Sequence, residues 1–278
     1  MNFGERPADD ITKISTNDIP DHDILVAGFP CPSFSILGER KGFDDYNGSL
    51  FFEIERILRD KAPHAFLLEN VKGLTNHNKG KTLSIMLEHL EHLSYFVHWK
   101  VLNALDFGLP QKRQRIIIVG FKRNYPFEFP NGAGNRKKLS EILEDDDEVD
   151  RKYRASEKIR TNRLEAVKGK KIFYPSIWHE NKAGNIGIHP YSCALRANAS
   201  YNYLLVNGAR RLTPREMLRL QGFPEGFKLT GSYTGLRKLI GNSVPIPMIQ
   251  AVAEKMLQTI ENREVIPAMK QAKLMEVL

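Results

Sequence analysis

The stretch DILVAGFPCPSFS at residues 23–35 decides the fold that we predict for this chain. It begins with the apolar run ILVA, which has the length of a buried strand. Pro30 and Pro32 then flank a single thiol, Cys31, and stiffen the backbone because proline fixes φ and cannot donate a ladder hydrogen bond. We therefore predict Cys31 on a rigid loop past a strand end, where open α/β sheets bind ligands. This stretch alone leaves two interpretations open: a nucleophilic thiol, or a small buried apolar residue.

The composition restricts the class of protein. The chain has 278 residues, which suits one large domain or two of ordinary size, and 41% of them are hydrophobic, which allows a substantial core. Its net charge of +8 favours a polyanionic partner such as nucleic acid, although a basic protein without such a partner remains possible. Cys31 and Cys193 are its only cysteines, which indicates a reducing compartment and no disulfide framework.

Apolar periodicity predicts alternating strands and helices through much of the chain. Runs typical of strands follow the first one at residues 64–68, 95–104 and 116–121. Helical spacing marks residues 49–59, 82–93 and 246–262. Between Cys31 and the first of these helices, a segment that includes Gly38–Gly48 is a candidate lid.

Two polar motifs follow predicted strands or lie between them. Glu69 comes directly after the strand-like run HAFLL, and a partly buried carboxyl there can act as an acid; an ordinary solvated carboxylate is the alternative. Arg113 and Arg115 lie two residues apart, so in one extended segment both point the same way. Two guanidinium groups on one face suit a phosphate or a base edge, whereas a solvated basic turn is the alternative.

The later part of the chain has a polar, basic region and then regular signals. Basic residues interleave with aromatic residues across roughly 124–207, a pattern that fits DNA groove contacts or a merely solvated face. Thr213-Pro214-Arg215-Glu216 predicts a capping box that opens a helix ending at Gly222. Gly241-Asn242-Ser243 predicts a tight turn before the last helix.

Taken in order, these motifs resemble the DNA cytosine-5 methyltransferase family of the bacterial modification type. Five matches in the family's order across residues 30–245 make the resemblance specific, and Pro32 is one small departure from the usual pattern. The matching segments are Pro30-Cys31 with Ser33-Phe34-Ser35, Glu69-Asn70-Val71, Gln111-Lys112-Arg113-Gln114-Arg115, residues 211–224, and Gly241-Asn242-Ser243-Val244-Pro245.

The resemblance implies an α/β fold: the Rossmann-like mixed sheet of S-adenosylmethionine-dependent methyltransferases, with a smaller target-recognition domain. We assign residues 1–135 and 239–278 to the catalytic domain and residues 136–238 to the target-recognition, DNA-binding domain. The implied reaction transfers a methyl group from S-adenosylmethionine to carbon-5 of a flipped-out cytosine in double-stranded DNA, within a restriction-modification system.

The resemblance also implies roles for individual residues. Cys31 would add to carbon-6 of the cytosine, and for this it needs help toward the thiolate. Glu69 would protonate or hydrogen-bond ring nitrogen-3, and we expect burial to raise its pKa so that it holds a proton. Arg115 would contact the cytosine carbonyl oxygen, with Arg113 close by. The residues implied for the cofactor pocket are Asp10, Ile11, Pro30, Leu50, Asn242 and Val244.

One expected motif has no match in this sequence. The family opens with a glycine-rich loop and an acidic residue for the cofactor ribose, whereas this chain starts near the third family motif. We therefore expect an N-terminally incomplete sheet and weak or absent cofactor binding by this chain alone. Three explanations stay open: an N-terminally truncated enzyme, a wrongly assigned start, or one half of a split enzyme whose partner chain or fragment brings the missing piece. The alternative function is a DNA-binding remnant or one subunit of a split methyltransferase, inactive alone. We expect a bacterial or phage-encoded cytoplasmic protein without a membrane anchor.

Overall fold

The computed structural model of the chain describes residues 2–4, 7–8, 10–30, 50–132, 134–262 and 265–266. In chain order the strands are β1 Ile24–Gly28, β2 Ala65–Val71, β3 Phe96–Asn103, β4 Gln111–Lys112, β5 Gln114–Phe121, β6 Ile177–Glu180, β7 Ile186–His189, β8 Ser192–Cys193 and β9 Leu204–Val206. The helices are α1 Leu50–Lys61, α2 Lys81–His92, α3 Glu157–Ala166, α4 Pro214–Gln221, α5 Tyr233–Asn242 and α6 Ile246–Glu261.

The contacts divide the chain into two units, which are described separately. The sheet unit comprises the described residues within Arg6–Leu102, Arg115–Pro130 and Val252–Leu278. The basic unit comprises those within Met1–Glu5, Asn103–Gln114 and Asn131–Ala251.

The sheet unit is built on a mixed four-stranded sheet with the order β1-β2-β5-β3. β1 and β2 pair in parallel, with Gly28 opposite Glu69, and β2 and β5 pair antiparallel, with Val71 opposite Arg115. The predicted strands and the first two predicted helices are confirmed. The apolar faces of α1 and α2 pack with the sheet in one buried cluster whose members include Phe51, Leu58, Phe66, Leu68, Met86, Leu90, Ile116 and Ile118.

The end of β2 differs from the prediction. The sequence pattern ends the strand at Leu68, whereas the structure continues it through Glu69 and Asn70 to Val71. The strand continues because the long strand β5 supplies antiparallel partners for all three additional residues. Glu69 is therefore held by strand pairing and does not lie in a loop.

The basic unit contains the three-stranded sheet β7-β6-β9 and the two-stranded sheet β4-β8. Its largest described core cluster joins residues of β6 and β9 to α4 and α5, including Ile177, Leu204, Met217, Leu220 and Ile240. A separate small cluster buries Trp178.

The capping box of α4 is confirmed. Thr213 Oγ1 accepts a hydrogen bond from the Glu216 amide, Glu216 Oε2 accepts one from the Thr213 amide, and Gly222 ends the helix with a φ of 82°. Glu216 is fully buried and also pairs with Arg210 through both carboxylate oxygens, at 2.8 and 2.9 Å. This helix terminus therefore combines a local cap with a buried ion pair.

Two helices of the basic unit were not predicted from the sequence. α3 lies within the polar, basic region at roughly 124–207, where its many charged residues leave no clear apolar periodicity. α5 contains Gly241 and Asn242 in its last turn, so the predicted tight turn is wrong at these two positions. Ser232 opens α5 by accepting a hydrogen bond from the Gly235 amide, a cap that the glycines at 235 and 241 obscure in the sequence.

Within the described ranges, no helix combines the length and the apolar character needed to cross a membrane.

Candidate active site

A buried ion pair connects β2 and β5 in the sheet unit. Arg115 Nε donates to Glu69 Oε1 at 2.6 Å, and the two side chains are only 13% and 14% exposed. Glu69 lies opposite Ile117, so Arg115 is its diagonal neighbour on the same face of the antiparallel pair. The strand register therefore brings together two of the residues that the sequence motifs select.

Burial and the ion pair act on the Arg115 guanidinium in opposite directions. Removal from solvent lowers the pKa of the Arg115 guanidinium, and the neighbouring Glu69 carboxylate acts against that decrease. An arginine remains protonated under ordinary conditions, so the site retains a fixed positive charge. That charge lies beside a carboxylate whose orientation it determines.

Gly28 lies directly beside Glu69. It is the last residue of β1 and pairs with Glu69, and a Cβ atom placed on it would lie 3.4 Å from Glu69 Oε2, in ordinary van der Waals contact. The carboxylate therefore lies against the end of β1. Cys31 and the candidate lid Gly38–Gly48 lie outside the described residues.

Asn70 fixes the backbone at the end of β1. Its Nδ2 donates to the Phe29 carbonyl at 2.9 Å, and its Oδ1 accepts from the Val71 amide at 2.8 Å. The side chain is buried, with 1% of its residue surface exposed. In the sequence Asn70 stands out only as part of the Glu69-Asn70-Val71 motif, and the structure adds a physical role: its side chain connects two neighbouring strand ends.

Arg113 does not share the face of Arg115, contrary to the expectation from their spacing. It lies between β4 and β5, so strand alternation is interrupted at this residue. Its guanidinium belongs to the basic unit, where it donates to the carbonyls of Leu195, Gly241 and Ser243 at 2.8, 3.1 and 2.6 Å. With 2% of its surface exposed, Arg113 holds backbone segments together and presents no fork to a ligand.

Two buried glutamines have a comparable role that the sequence did not indicate. Gln111 Nε2 donates to the Leu220 carbonyl at 2.8 Å, and its Oε1 accepts from the Leu195 amide at 3.2 Å. Gln221 Nε2 donates to the Ile240 carbonyl at 2.9 Å. These bonds, together with those of Arg113, connect β4 to two later motifs of the same unit, residues 211–224 and residues 241–245.

The residues implied for the cofactor occupy both units. In the sheet unit, Asp10 caps a 3₁₀ turn by accepting from the Thr12 amide at 3.1 Å, and α1 holds the next residue because Arg56 donates to the Ile11 carbonyl at 3.2 Å. Hydrogen bonds from the hydroxyl and the amide of Thr12 lower the pKa of Asp10. In the basic unit, Asn242 ends α5 and Val244 follows it. Four of the six side chains are exposed: Asp10, Pro30, Leu50 and Asn242. The other two are half-buried, Ile11 and Val244.

An aromatic and cationic cluster of the basic unit reaches the surface through Tyr201, while its Arg237 is buried and donates to the Ala199 and Ser200 carbonyls. The rings of Tyr201 and Tyr233 stack with centroids 5.9 Å apart, and Tyr201 is 42% exposed. The guanidinium groups of Arg211 and Arg237 lie 5.9 and 4.5 Å from the centroid of the Tyr201 ring. Such stacked aromatic and cationic groups suit contact with phosphates or bases.

The chain is similar to known DNA methyltransferases over most of its length. The family described as C-5 cytosine-specific DNA methylase matches residues 1–258. The chain is 58% identical to the Type II methyltransferase M.NgoBI of Neisseria gonorrhoeae, over 90% of this chain and 78% of that protein. It is 55% identical to the Type II methyltransferase M.HaeII of Haemophilus aegyptius, over 94% of this chain and 81% of that protein.

Solved structures support the fold. A DNMT2 mutant of Spodoptera frugiperda matches with a TM-score of 0.68 and 20% identity, covering 90% of this chain and 84% of that chain. The methyltransferase EhMeth of Entamoeba histolytica also gives a TM-score of 0.68, with 15% identity and coverage of 93% and 85%. The expected α/β fold with a mixed sheet is confirmed.

Proposed function

The chain belongs to the C-5 cytosine-specific DNA methylase family, and from this premise we propose which of its residues carry out methyl transfer. It is a DNA (cytosine-5-)-methyltransferase of the restriction-modification type, and S-adenosylmethionine supplies the methyl group when bound. Its substrate is double-stranded DNA. The target carbon is inaccessible in a stacked duplex, so the cytosine must be flipped out.

We assign the nucleophile to Cys31. Its sulfur forms a bond to carbon-6 of the flipped cytosine, and the displaced electron pair makes carbon-5 nucleophilic. After carbon-5 has been methylated, loss of its proton restores the ring double bond and breaks the bond to sulfur. The segment Gly38–Gly48 would close over the extruded base.

Glu69 and Arg115 would stabilise the charge that the addition moves onto the ring. Glu69 donates to or protonates ring nitrogen-3, and Arg115 contacts the cytosine carbonyl oxygen. Their 2.6 Å ion pair, beside the end of β1, is the observation that carries this proposal. An oriented carboxyl group and a fixed cation match the two places where negative charge develops.

Arg113 has a supporting role in this proposal. Because its two terminal guanidinium nitrogens donate to the backbone carbonyls of Leu195, Gly241 and Ser243, it positions the segments that carry other site residues. The cofactor would be held by Asp10, Ile11, Pro30, Leu50, Asn242 and Val244. Their exposed or half-buried side chains are compatible with contact to a ligand.

The DNA contacts would come from the smaller domain, residues 136–238. The cluster of Tyr201, Tyr233, Arg211 and Arg237 supports this assignment because its exposed ring, Tyr201, has the Arg211 guanidinium beside it. Buried Arg237 holds the neighbouring backbone through the Ala199 and Ser200 carbonyls. We also propose that the enzyme works in the bacterial cytoplasm, where unpaired cysteines remain reduced.

Transfer of a labelled methyl group from S-adenosylmethionine to duplex DNA tests the assignment. The wild-type chain, alone or with a complementing N-terminal fragment, should label cytosine, and Cys31→Ala should abolish labelling while retaining salt-dependent DNA binding. DNA containing 5-fluorocytosine should trap the wild-type protein covalently, since the fluorine cannot leave as a proton does. Trapping by Cys31→Ala would overturn the assignment of the nucleophile, and DNA binding without any methylation or trapping would support a DNA-binding remnant.

The open edge of β1 supports a proposal about assembly. Among the described residues β1 pairs with β2 alone, and Val26 in its middle is 63% exposed. We propose that a strand from a complementing chain or fragment pairs with this edge. β1 amides that point away from β2 should exchange rapidly in the purified chain and become protected in the active assembly. Full activity of the purified chain with these amides still unprotected would contradict the proposal.

A further inference from the structure

Three side chains with soft or borderline metal-ligand atoms meet on the basic unit, and none of them is assigned to methyl transfer. They are His179 on β6, His189 at the end of β7 and Cys193 on β8. One ligand atom from each lies within 4.8 Å of those of the other two. We propose that these three residues form a binding site for a zinc ion.

The strand register explains why the two histidines meet. In the antiparallel pair β6–β7, His179 lies opposite Gly187 and His189 lies opposite Ile177, so the histidines are diagonal neighbours on one face. Cys193 reaches this group from β8, where it pairs with Lys112 of β4. Three separate strands therefore supply the ligands, and each is fixed by its own ladder.

Gly187 provides the space that the cluster needs. A Cβ atom at this position would lie 2.6 Å from His189 Nε2, closer than non-bonded atoms approach. The imidazole of His189 therefore leans over Gly187 in the direction of His179. Its other face is supported by the Tyr191 ring, which stacks with a centroid separation of 5.3 Å and an interplanar angle of 23°.

The ligand set is suited to zinc. Two imidazole nitrogens and one thiolate are common zinc donors, and three protein ligands leave a position for water. Bond lengths of about 2.0–2.3 Å at tetrahedral angles place ligand atoms roughly 3.4–3.6 Å apart. The observed upper separation of 4.8 Å therefore requires movements of the order of 1 Å, which side-chain rotations supply.

The protonation states also agree with metal binding. Burial lowers the pKa values of His179 and His189, so both rings present a lone pair. Burial raises the pKa of Cys193, against the influence of Lys112 and Arg196, so zinc would displace the thiol proton to solvent. The positive charges of Lys112 and Arg196 oppose the binding of a cation, but they also favour the thiolate form of Cys193 that the metal requires.

The test uses the untagged full-length chain carrying Cys31→Ala, so that Cys193 is its only thiol. Titration with Co²⁺ should give a thiolate-to-cobalt charge-transfer band that saturates at one equivalent, and Zn²⁺ should displace the cobalt. Cys193→Ser in the same background should remove the band, and His189→Gln should weaken binding at least tenfold. Thermal unfolding followed by circular dichroism identifies variants that fail to fold, and the other ligand variant then decides.

Two further variants separate a built site from adventitious binding. Gly187→Ala keeps all three ligands but pushes His189 aside, so it should weaken binding about as much as loss of that ligand. His64→Ala removes a 76% exposed histidine of the sheet unit and should leave the titration unchanged. Absence of the charge-transfer band in the parent, its persistence after Cys193→Ser, or equal affinity in Gly187→Ala would each overturn the proposal.

Discussion

Arg115 Nε lies 2.6 Å from Glu69 Oε1, across two adjacent strands that pair antiparallel. The pair is not a surface ion pair, because both side chains are mostly buried. Removing one partner from such a pair leaves a buried charge without its counter-charge, which costs more than the pair itself contributes. Substitutions at the two positions are therefore expected to affect both geometry and chemistry.

Glu69→Gln should separate these two effects. The amide has nearly the size of the carboxyl group and still accepts from Arg115, but it cannot supply a carboxyl proton. We expect the single-turnover rate of methyl transfer to fall by about 10²–10⁴, the range for loss of a general acid. Glu225→Gln is the matched control, since Glu225 pairs with Arg219 at an exposed site. An unchanged rate in Glu69→Gln would rule out the proposed proton transfer.

Arg113→Lys tests whether Arg113 is a positioning residue. A single ammonium group cannot reproduce the three separated contacts to Leu195, Gly241 and Ser243. We expect the free energy of unfolding to fall by about 1.5–3 kcal/mol, the range for loss of a hydrogen bond to a charged group. Thermal or denaturant unfolding measures this loss.

Arg219→Lys is the control for Arg113→Lys, because the partner of Arg219 is exposed; it should change the stability by less than about 1 kcal/mol. Equal effects of the two substitutions would show that burial of Arg113 contributes nothing special.

Two glycines of α5 provide a matched pair. A Cβ atom at Gly241 would meet the Ala197 backbone nitrogen at 2.6 Å, whereas one at Gly235 would meet only Ser232 Oγ, at 3.4 Å. Gly241→Ala should therefore destabilise the protein by about 1–3 kcal/mol, because backbone cannot rotate away as a side chain can. Gly235→Ala should be neutral or stabilise by up to about 1 kcal/mol through helix propensity. A larger decrease of the unfolding midpoint in Gly235→Ala than in Gly241→Ala would contradict the close contact between Gly241 and the Ala197 backbone.

His98 should make the stability depend on pH. Its ring packs between Phe121 and Phe127, and burial lowers its pKa. Nε2 of His98 has no hydrogen-bond partner among the described residues. Because the unfolded chain binds the proton more readily, stability is full above the unfolded pKa of about 6.5 and is lost as the pH falls below it.

His98→Phe removes this titration while keeping an aromatic ring in the cluster. The difference in stability between the wild type and His98→Phe should change as the pH falls from neutral into the acid range, with the wild type losing more. Denaturant titrations at several pH values measure the difference. A constant difference across that range would show that His98 does not contribute to the pH dependence.

Local signals in the sequence predicted much of the fold. The capping box at Thr213 and Glu216 is complete within four residues, and the apolar run after Asp23 forms β1. The α5 helix was missed because Gly235 and Gly241 are typical of turns, while its stability comes from packing of residues such as Ile240 in the core. Tertiary contacts outweighed the local preference there.

The candidate site was predictable only in part, for a geometric reason. Glu69 and Arg115 meet because β2 and β5 pair in one particular register. The two sequence motifs identify the residues, but they do not indicate which strands pair or in which register. The alternation rule fails at Arg113 because it applies within one continuous strand, and the chain is interrupted between β4 and β5. The partner of Gln111 lies 109 residues away, so no local pattern could identify it.

The Asn70 side chain links the ends of two neighbouring strands. Its Nδ2 donates to the Phe29 carbonyl, and the adjacent residue is Glu69, to which we assign the acid. Any displacement of β2 along its axis would therefore move the Phe29 backbone with it. Substitution of Asn70 should release this coupling while leaving the Glu69 carboxyl group itself unchanged.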